Sequence, residues 1–515
     1  MERVLHSAAF GHSRNPVATI LERIERRLDG LFGAVSNPLR HLGAIGFLLF
    51  WVIALTGVYL YAVFDTSVAG AYRSTEALSA TAYGFGAVVR ALHRYASDAF
   101  VAVLLLHLAR ELAFGRVSGF RRFTWLTGVP LVWLTFAAGI VGFWLLWDEV
   151  AALSAVATTE WLDALGIFGE TLARNFLGAA AVNDRLFSLF VFLHVGLPLL
   201  LLAGMWIHVQ RLARPDTRPA RSLTVGTVGA LIVLSFLQPA PLAAPADLGQ
   251  LPQAVKFDWF FLAPNALSER GSAAVLWLLA AGGTVLLLSL PWLVRTVRAP
   301  VAIVDPANCN GCSRCFDDCP YAAVSMTRRG DGGLAVVDAD LCAGCGICAG
   351  ACPSATPFRS VAELVSGIDL PHDPVDRIRR ALTEVLAAGE APVVAFGCRH
   401  GADLRALEAN GVHAIALECA AQLPPAFVEY ALRRGASGVV VVRCADGACE
   451  YRLGDRWSDA RLAGEREPHL RASVPRDRVL VVGAGAGEER DVMTRIARWR
   501  RLPVHAARQE AGDHA

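Results

Sequence analysis

The segments 91–111, ALHRYASDAFVAVLLLHLARE, and 192–211, FLHVGLPLLLLAGMWIHVQR, decide the architecture. Each carries two histidines fourteen positions apart in an otherwise apolar run: His93 with His107, and His194 with His208. An α-helix turns about 100° and rises about 1.5 Å per residue, so fourteen steps come back to within about 40° of the starting direction after a climb of about 21 Å. One histidine of each pair therefore stands toward each side of a hydrocarbon core about 30 Å thick. Two such helices facing each other can hold two haems stacked across a membrane, each iron taking one imidazole from each helix. The alternative is four unrelated core or interfacial histidines. The identical spacing in two apolar helices counts against it.

The 515 residues are 54% hydrophobic and 18% charged, but the average hides two halves. Long apolar runs fill 41–297, whereas 300–515 reads as soluble. Six segments are long enough to span a bilayer, about 41–63, 88–114, 124–147, 185–212, 222–240 and 272–297. With six spans, Arg23, Arg26, Arg27 and Arg40, then Arg110, Arg116, Arg121 and Arg122, then Arg211, Arg214, Arg218 and Arg221, and finally Arg295 and Arg298 all fall on one side. The positive-inside rule makes that side the cytoplasm, with both termini there. A bacterial cytoplasmic membrane is the expected location. Residues 1–40 carry no evident cleavable signal and suit an amphipathic interfacial helix around 16–34. The net charge of +2 and the lack of a basic aromatic motif give no case for nucleic acid. Membrane lipid is the expected surrounding. No cysteine precedes Cys309, which excludes thioether attachment of haem.

Residues 309–320, CNGCSRCFDDCP, and 342–353, CAGCGICAGACP, repeat one spacing: Cys, two residues, Cys, two residues, Cys, three residues, Cys-Pro. In two-cluster bacterial ferredoxins the fourth cysteine of each run ligates the other cluster. One 4Fe–4S cluster would then use Cys309, Cys312, Cys315 and Cys352, and the other Cys342, Cys345, Cys348 and Cys319. Zinc rarely takes this triple spacing, and a disulfide framework does not suit the reducing side of the membrane. A ferredoxin-like α+β domain over 300–358 is expected, followed by a linker helix over 359–389.

Over 390–505 the short β-branched runs PVVAFG, VHAIALE, GVVVVR and RVLVVG alternate with helical stretches, predicting a small parallel α/β domain. Cys398, Cys419 and Cys444 fall just after the first three strands, and Cys449 shares a loop with Cys444. Ligands bind at the carboxyl ends of such strands. Four thiolates there could hold a further cluster, most simply 2Fe–2S; buried structural cysteines are the alternative. GAGAG at 483–487 lacks the full dinucleotide fingerprint and reads as a tight strand-to-helix turn.

Residues 55–78, 90–112, 123–149 and 187–211 resemble the first four helices and the first loop of cytochrome b of quinol-oxidising bc-type complexes, in its shorter plastid and bacillus-like form. In that family paired glycines on helices one and three let the haems approach the backbone. Gly43 and Gly57 here are fourteen apart, as are Gly128 and Gly142. Helix-packing glycines remain the alternative. The resemblance assigns His93 and His194 to an outer haem and His107 and His208 to an inner one, with Arg90 and Arg94 near the outer propionates or simply at the surface. It also implies a homodimer and a quinone or quinol substrate. The family's Pro-Glu-Trp-Tyr quinol-oxidation motif corresponds to Phe257-Asp258-Trp259-Phe260. Asp258 would be the general base beside Trp259. The shortened acid, the lost proline and tyrosine, and Leu146 where the family has proline leave this outer site altered, reversed or inactive.

The last domain resembles the delta subunit of methyl-viologen-reducing hydrogenase, through GVVVVRCADGACEYRLGD at 438–455, Cys398, Cys419, Arg461 and Arg466. That likeness implies a cytoplasmic flavin/iron–sulfur partner, heterodisulfide-reductase-like or a dehydrogenase. The whole chain then reads as the membrane electron-transfer subunit of a quinone-linked oxidoreductase. Two alternatives stay open. One is a bifurcating or confurcating bc-type subunit that needs a separate high-potential acceptor; the other is a docking platform without quinone turnover.

Overall fold

The computed structural model describes residues 16–80, 84–168, 171–176, 182–249, 260–294, 300–388, 391–408 and 411–501. The chain divides into two compact units, Met1–Gln210 with Pro215–Arg295, and Arg211–Arg214 with Thr296–Ala515.

The first unit is all-helical. Its elements are α1 (Pro16–Phe32), α2 (Leu42–Val63), α3 (Val68–Ser79), α4 (Phe85–Ala113), α5 (Arg122–Trp144), α6 (Glu149–Asp163), α7 (Asp184–Val209), α8 (Arg221–Leu237), α9 (Ala263–Arg270) and α10 (Ala273–Leu293). Helix α2 packs against α4, and α5 against α7. Among the described residues, four helices are long and apolar enough to cross a membrane: Pro38–Val63, Gly119–Trp144, Asp184–Val209 and Ala273–Leu293. Six were expected. Helix α8, an apolar helix of 17 residues, and α4, which carries Arg90, Arg94, Asp98, Arg110 and Glu111, fall outside that measure of length and composition. Trp51, Leu55, Leu199 and Leu278 stand more than half exposed on these helices. Apolar faces of this kind suit lipid, not water.

Helix α1 is amphipathic, with Val17, Ile20 and Phe32 exposed on one side. Its other side is anchored by Glu25, which is buried. The Glu25 carboxylate accepts from Arg110 Nε at 2.7 Å and lies 3.3 Å from Arg40 NH1. Asn37 Nδ2 donates to the Glu25 carbonyl at 2.9 Å and to Asp29 at 2.7 Å. Charge buried this well is stable only while paired.

The second unit begins with a small α+β region. Strands β1 (Ile303–Val304) and β4 (Ile368–Asp369) pair antiparallel, and β2 (Val324–Arg329) forms a hairpin with β3 (Gly332–Val337). Two one-turn helices, α11 (Arg314–Asp318) and α12 (Ile347–Ala351), each end next to a cysteine, Cys319 and Cys352. Helix α13 (Val375–Ala388) follows, then β5 (Val393–Cys398), α14 (Arg405–Glu408), β6 (His413–Leu417), α15 (Ala426–Arg433), β7 (Gly438–Arg443), α16 (Gly454–Ala463), β8 (Val479–Gly483) and α17 (Glu489–Arg500). The sheet is fully parallel in the order β6-β5-β7-β8. Helices cover both faces, because both alternating sets of strand residues are apolar: Phe396, Val439 and Val441 on one, Ala395, Val440 and Val442 on the other.

The linker helix expected over 359–389 is corrected by this packing. Val375, Ile378 and Leu382 of α13 are fully buried in the same core as Phe396 and Phe427, so the helix belongs to the sheet. The Gly-rich 483–487 stretch is a strand-to-helix turn in which Gly485 N–H donates to Glu488 Oε2 at 2.7 Å.

Replacing Glu25 by alanine removes one of two carboxylates from each of two largely buried guanidinium groups, Arg40 keeping Asp29 and Arg110 keeping Glu111, at a cost of about 1–3 kcal/mol. The expected outcome is a lower melting temperature by circular dichroism and faster tryptic cleavage at Arg23, Arg26 and Arg27.

Candidate redox centres

Each histidine of α4 and α7 faces a glycine of α2 or α5. A Cβ built on Gly142 would lie 2.7 Å from His194 Cε1, one on Gly128 3.0 Å from His208 Cε1, one on Gly57 3.2 Å from His93 Cε1, and one on Gly43 3.9 Å from His107 Cε1. The glycines therefore open space for the imidazole rings themselves, a closer role than admitting a haem to the backbone. His93 Nδ1 is 3.1 Å from the Ile53 carbonyl and 3.0 Å from Thr56 Oγ1. His194 Nδ1 is 3.0 Å from the Ala138 carbonyl. His208 Nδ1 lies 3.2 Å from Thr127 Oγ1 and bonds the Thr124 backbone. With Nδ1 engaged, Nε2 is the nitrogen left for a metal.

The ring centroids of His93 and His194 are 6.3 Å apart. Two imidazoles on one iron, each through a metal–nitrogen bond of ~2 Å, place their centroids at about that distance. This geometry fits a six-coordinate haem. His107 acts electrostatically on His208, so the second pair also faces itself.

Arg90 is buried and donates to Ser79 Oγ at 3.0 Å and to the carbonyls of Ala240 and Pro241 at 2.8 and 2.6 Å. It staples α3 to the chain beyond α8. Arg94 donates to Asp98 at 3.1 Å and lies over the Phe143 ring at 4.5 Å. Asp258 and Trp259 lie outside the described residues.

In the second unit the cysteines gather into three sets. Cys309, Cys312 and Cys352 are the thiols acting on Cys315, and Cys342, Cys345 and Cys319 act on Cys348. Burial pushes Cys315 up to about 12, and Cys345 and Cys348 well above the usual thiol range. Such thiols ionise only with a cation beside them.

The third set is a closed ring. Cys444 Sγ lies 3.4 Å from Cys398 Sγ, and hydrogen bonds join Cys398 to Cys419, Cys419 to Cys449, and Cys449 to Cys444. Bonds from their neighbours hold Cys398 and Cys449 well below the usual thiol range. The ring forms at the carboxyl ends of β5 and β7, which are adjacent strands although β6 comes between them in sequence. That is the switch point of an open parallel sheet. All twelve cysteines are free thiols. Among the described residues, no three His, Cys, Asp or Glu side chains close on a single metal ion. A mononuclear ion needs every donor about 2.0–2.3 Å from one point, whereas a cluster spreads its thiolates over several irons.

Sequence reasoning missed the surroundings of this ring. A Cβ on Gly454 would lie 2.2 Å from Cys419 Sγ and 3.1 Å from Cys449 Sγ, so only glycine fits there. Tyr451 donates to Glu418 Oε1 at 2.6 Å, and His400 Nε2 lies 3.3 Å from the same oxygen. Their one sequence signal is closeness to the cysteines, with Glu418 beside Cys419 and Tyr451 and His400 two positions from Cys449 and Cys398.

A helical bundle with crossed histidine pairs, joined to a cysteine-rich soluble unit, defines a membrane-bound electron-transfer protein. Residues 33–214 match the family model of cytochrome b/b6/petB, 308–356 a 4Fe-4S dicluster domain, and 393–500 the delta subunit of methyl-viologen-reducing hydrogenase. The chain is 32% identical over 168 residues to cytochrome b6 of Porphyra purpurea and of Tupiella akineta, covering 32% of this chain and 78% of each relative. Cytochrome b6 of Auxenochlorella protothecoides is 30% identical over 167 residues, covering 77% of that protein. A solved structure titled "Hyperthermophilic respiratory Complex III" aligns with a TM-score of 0.42 at 17% identity, over 54% of this chain and 83% of that one. The chain belongs to the cytochrome b/b6 family. It is an integral membrane protein whose redox centres are b haems and iron–sulfur clusters.

Two substitutions separate tight from loose packing. Gly142→Ala drives a methyl into the His194 ring and is expected to lower the haem content, read as lost pyridine-haemochrome signal. Gly43→Ala makes only ordinary van der Waals contact and is expected to keep full haem. Gly454→Ala is expected to lower iron and sulfide per chain while haem content stays constant, measured on the same preparation.

Proposed function

We propose that the chain is the membrane subunit of a quinone-linked oxidoreductase, passing electrons between a cytoplasmic flavin/iron–sulfur partner and the quinone pool. The observation that carries this reading is the fusion, in one chain, of crossed histidine pairs with three converging cysteine sets. Two b haems, two 4Fe–4S clusters and one 2Fe–2S cluster supply one-electron redox chemistry when bound.

His93 and His194 hold one haem iron, His107 and His208 the other. The backbone carbonyls of Ile53, Ala138 and Thr124 fix three of these rings with Nε2 free. Cys309, Cys312, Cys315 and Cys352 hold one 4Fe–4S cluster; Cys342, Cys345, Cys348 and Cys319 hold the other. Cys398, Cys419, Cys444 and Cys449 are enough thiolates for one 2Fe–2S cluster, and this ring faces the soluble partner. The arginine-rich connections lie in the cytoplasm of a bacterium, with both termini, and the chain is a homodimer. At the opposite face Asp258 takes the proton of a quinol as general base beside Trp259.

The test is haem reduction by quinol. With detergent-purified protein poised oxidised, addition of a quinol is expected to raise the b-haem α-band, and a quinone-site inhibitor to block the rise. A band reduced by dithionite but by no quinol, and not reoxidised by quinone after the clusters are reduced, would leave a docking platform in place of a quinone enzyme.

A further inference from the structure

Arg461 is the largest fully buried side chain among the described residues, at 1% exposure. Arginine is rarely buried unless paired. Its guanidinium reaches three groups, each next to a cysteine. NH1 donates to the carbonyl of Ala421, two residues past Cys419, at 2.7 Å. NH2 donates to the carbonyl of Ile347, between Cys345 and Cys348, at 3.2 Å. NH2 also donates to the carboxylate of Asp318, which precedes Cys319. Nε is also buried, with no hydrogen-bond partner among the described residues.

The surroundings were built around this group. A Cβ on Gly350 would lie 2.6 Å from Arg461 NH1 and 2.0 Å from the Ala421 carbonyl. Asp318 is 2% exposed and also takes Arg466, whose Nε donates to Oδ1 at 2.7 Å. One carboxylate against two guanidinium groups leaves one net positive charge in a dry boundary. The two flanking cysteine sets come close across the same boundary. The Cβ position of Gly454 meets Cys419 and Cys449 on one side and comes within 3.9 Å of Ile347 Cδ1 on the other. Cys419 acts on the charge of Arg461, and Cys449 on Cys345.

A set of four thiolates makes its cluster net negative, and each added electron makes it more so. A fixed positive charge between two such sets favours the reduced form of both, because little water is present to screen it. We infer that Arg461 is a shared positioning residue that raises the reduction potentials of the Cys342/Cys345/Cys348/Cys319 cluster and the Cys398/Cys419/Cys444/Cys449 cluster together. A shift common to both leaves the driving force of exchange between them unchanged and sets the potential at which the pair works. The inference rests on the cluster assignments of the proposed function. The exchange itself moves one electron, with no bond made or broken and no proton transferred.

The experiment is a redox titration of the full-length detergent-purified protein, followed by electron paramagnetic resonance, with iron and sulfide counted on each sample. Arg461→Gln is expected to lower the reduced-to-oxidised ratio of both clusters at least tenfold at fixed ambient potential, about 59 mV for a one-electron couple. Arg461→Lys keeps the charge and loses the fork, so both midpoints are expected to stay within a threefold ratio of the parent. A Gln variant with full iron in which either midpoint is unmoved overturns the inference. So does a Lys variant that shifts as far as Gln, since that marks a purely structural role. If Gln sheds its clusters, Asp318→Asn decides. It unmasks positive charge and is expected to raise both midpoints; no rise in either overturns the inference. Parent protein with no signal or iron attributable to the four-thiol ring would instead sink the cluster assignment beneath it.

Discussion

The membrane unit depends on one constraint, the distance between a helix backbone and an imidazole ring. An α-helical carbonyl is already bonded to the N–H four residues on, yet it keeps a second lone pair. A histidine from the neighbouring helix can reach that lone pair only where no side chain intervenes. Ile53, Thr124 and Ala138, the residues whose backbone the rings bond, each sit four positions before a glycine that faces the same ring: Gly57, Gly128 and Gly142. The glycine removes the obstacle and the carbonyl one turn earlier sets the ring. Gly43 stands differently. Leu39, four positions before it, belongs to the short 3-10 turn Pro38–His41 and not to the helix proper, and the gap to His107 is correspondingly looser. Three rings are thus clamped and one is held more loosely.

The same economy governs the soluble unit, where sulfur takes the place of imidazole. The four-thiol ring needs strand ends to bring together cysteines that are up to 51 positions apart in sequence, and it needs Gly454 to leave room for them. Parallel β5 and β7 deliver Cys398 and Cys444 side by side at the switch point, and β6 carries Cys419 in from the flank. Burial raises Cys315, Cys319, Cys345 and Cys348 of the two ferredoxin-type sets and makes them poor free thiols.

Much of this was legible in the sequence, because it follows from periodicity. The fourteen-residue histidine spacing, the matching glycine spacing and the doubled cysteine run are linear patterns, and so are four apolar strands with cysteines at their ends. What escaped reading depends on the third dimension. Glycine spacing says that something approaches the helix, but not whether it is a macrocycle or a ring edge. Helix α13 is amphipathic like any connector, and only Val375, Ile378 and Leu382 packed under Phe396 show that it belongs to the sheet. Arg90 looks free on a helical wheel, yet its donors go to carbonyls 150 positions away. Arg461 sits in an ordinary polar helix, where nothing local announces that its head is almost fully buried.

That burial follows from how the sets are arranged. Cys315 of the first ferredoxin-type set acts on Cys348 of the second, and Cys345 of the second feels Cys449 of the ring. The second set therefore stands between the other two. In the proposed function every electron crossing the unit visits that middle set, so its potential governs traffic in both directions. Asp318 and Arg461 adjoin it, and Arg466 pairs with Asp318 as a second guanidinium from a position one-fifth exposed. A protein that had only to join two domains could have filled this boundary with well-packed apolar side chains, often at no loss of stability. A charged triad is kept here instead, beside the one set that neither end of the wire can bypass.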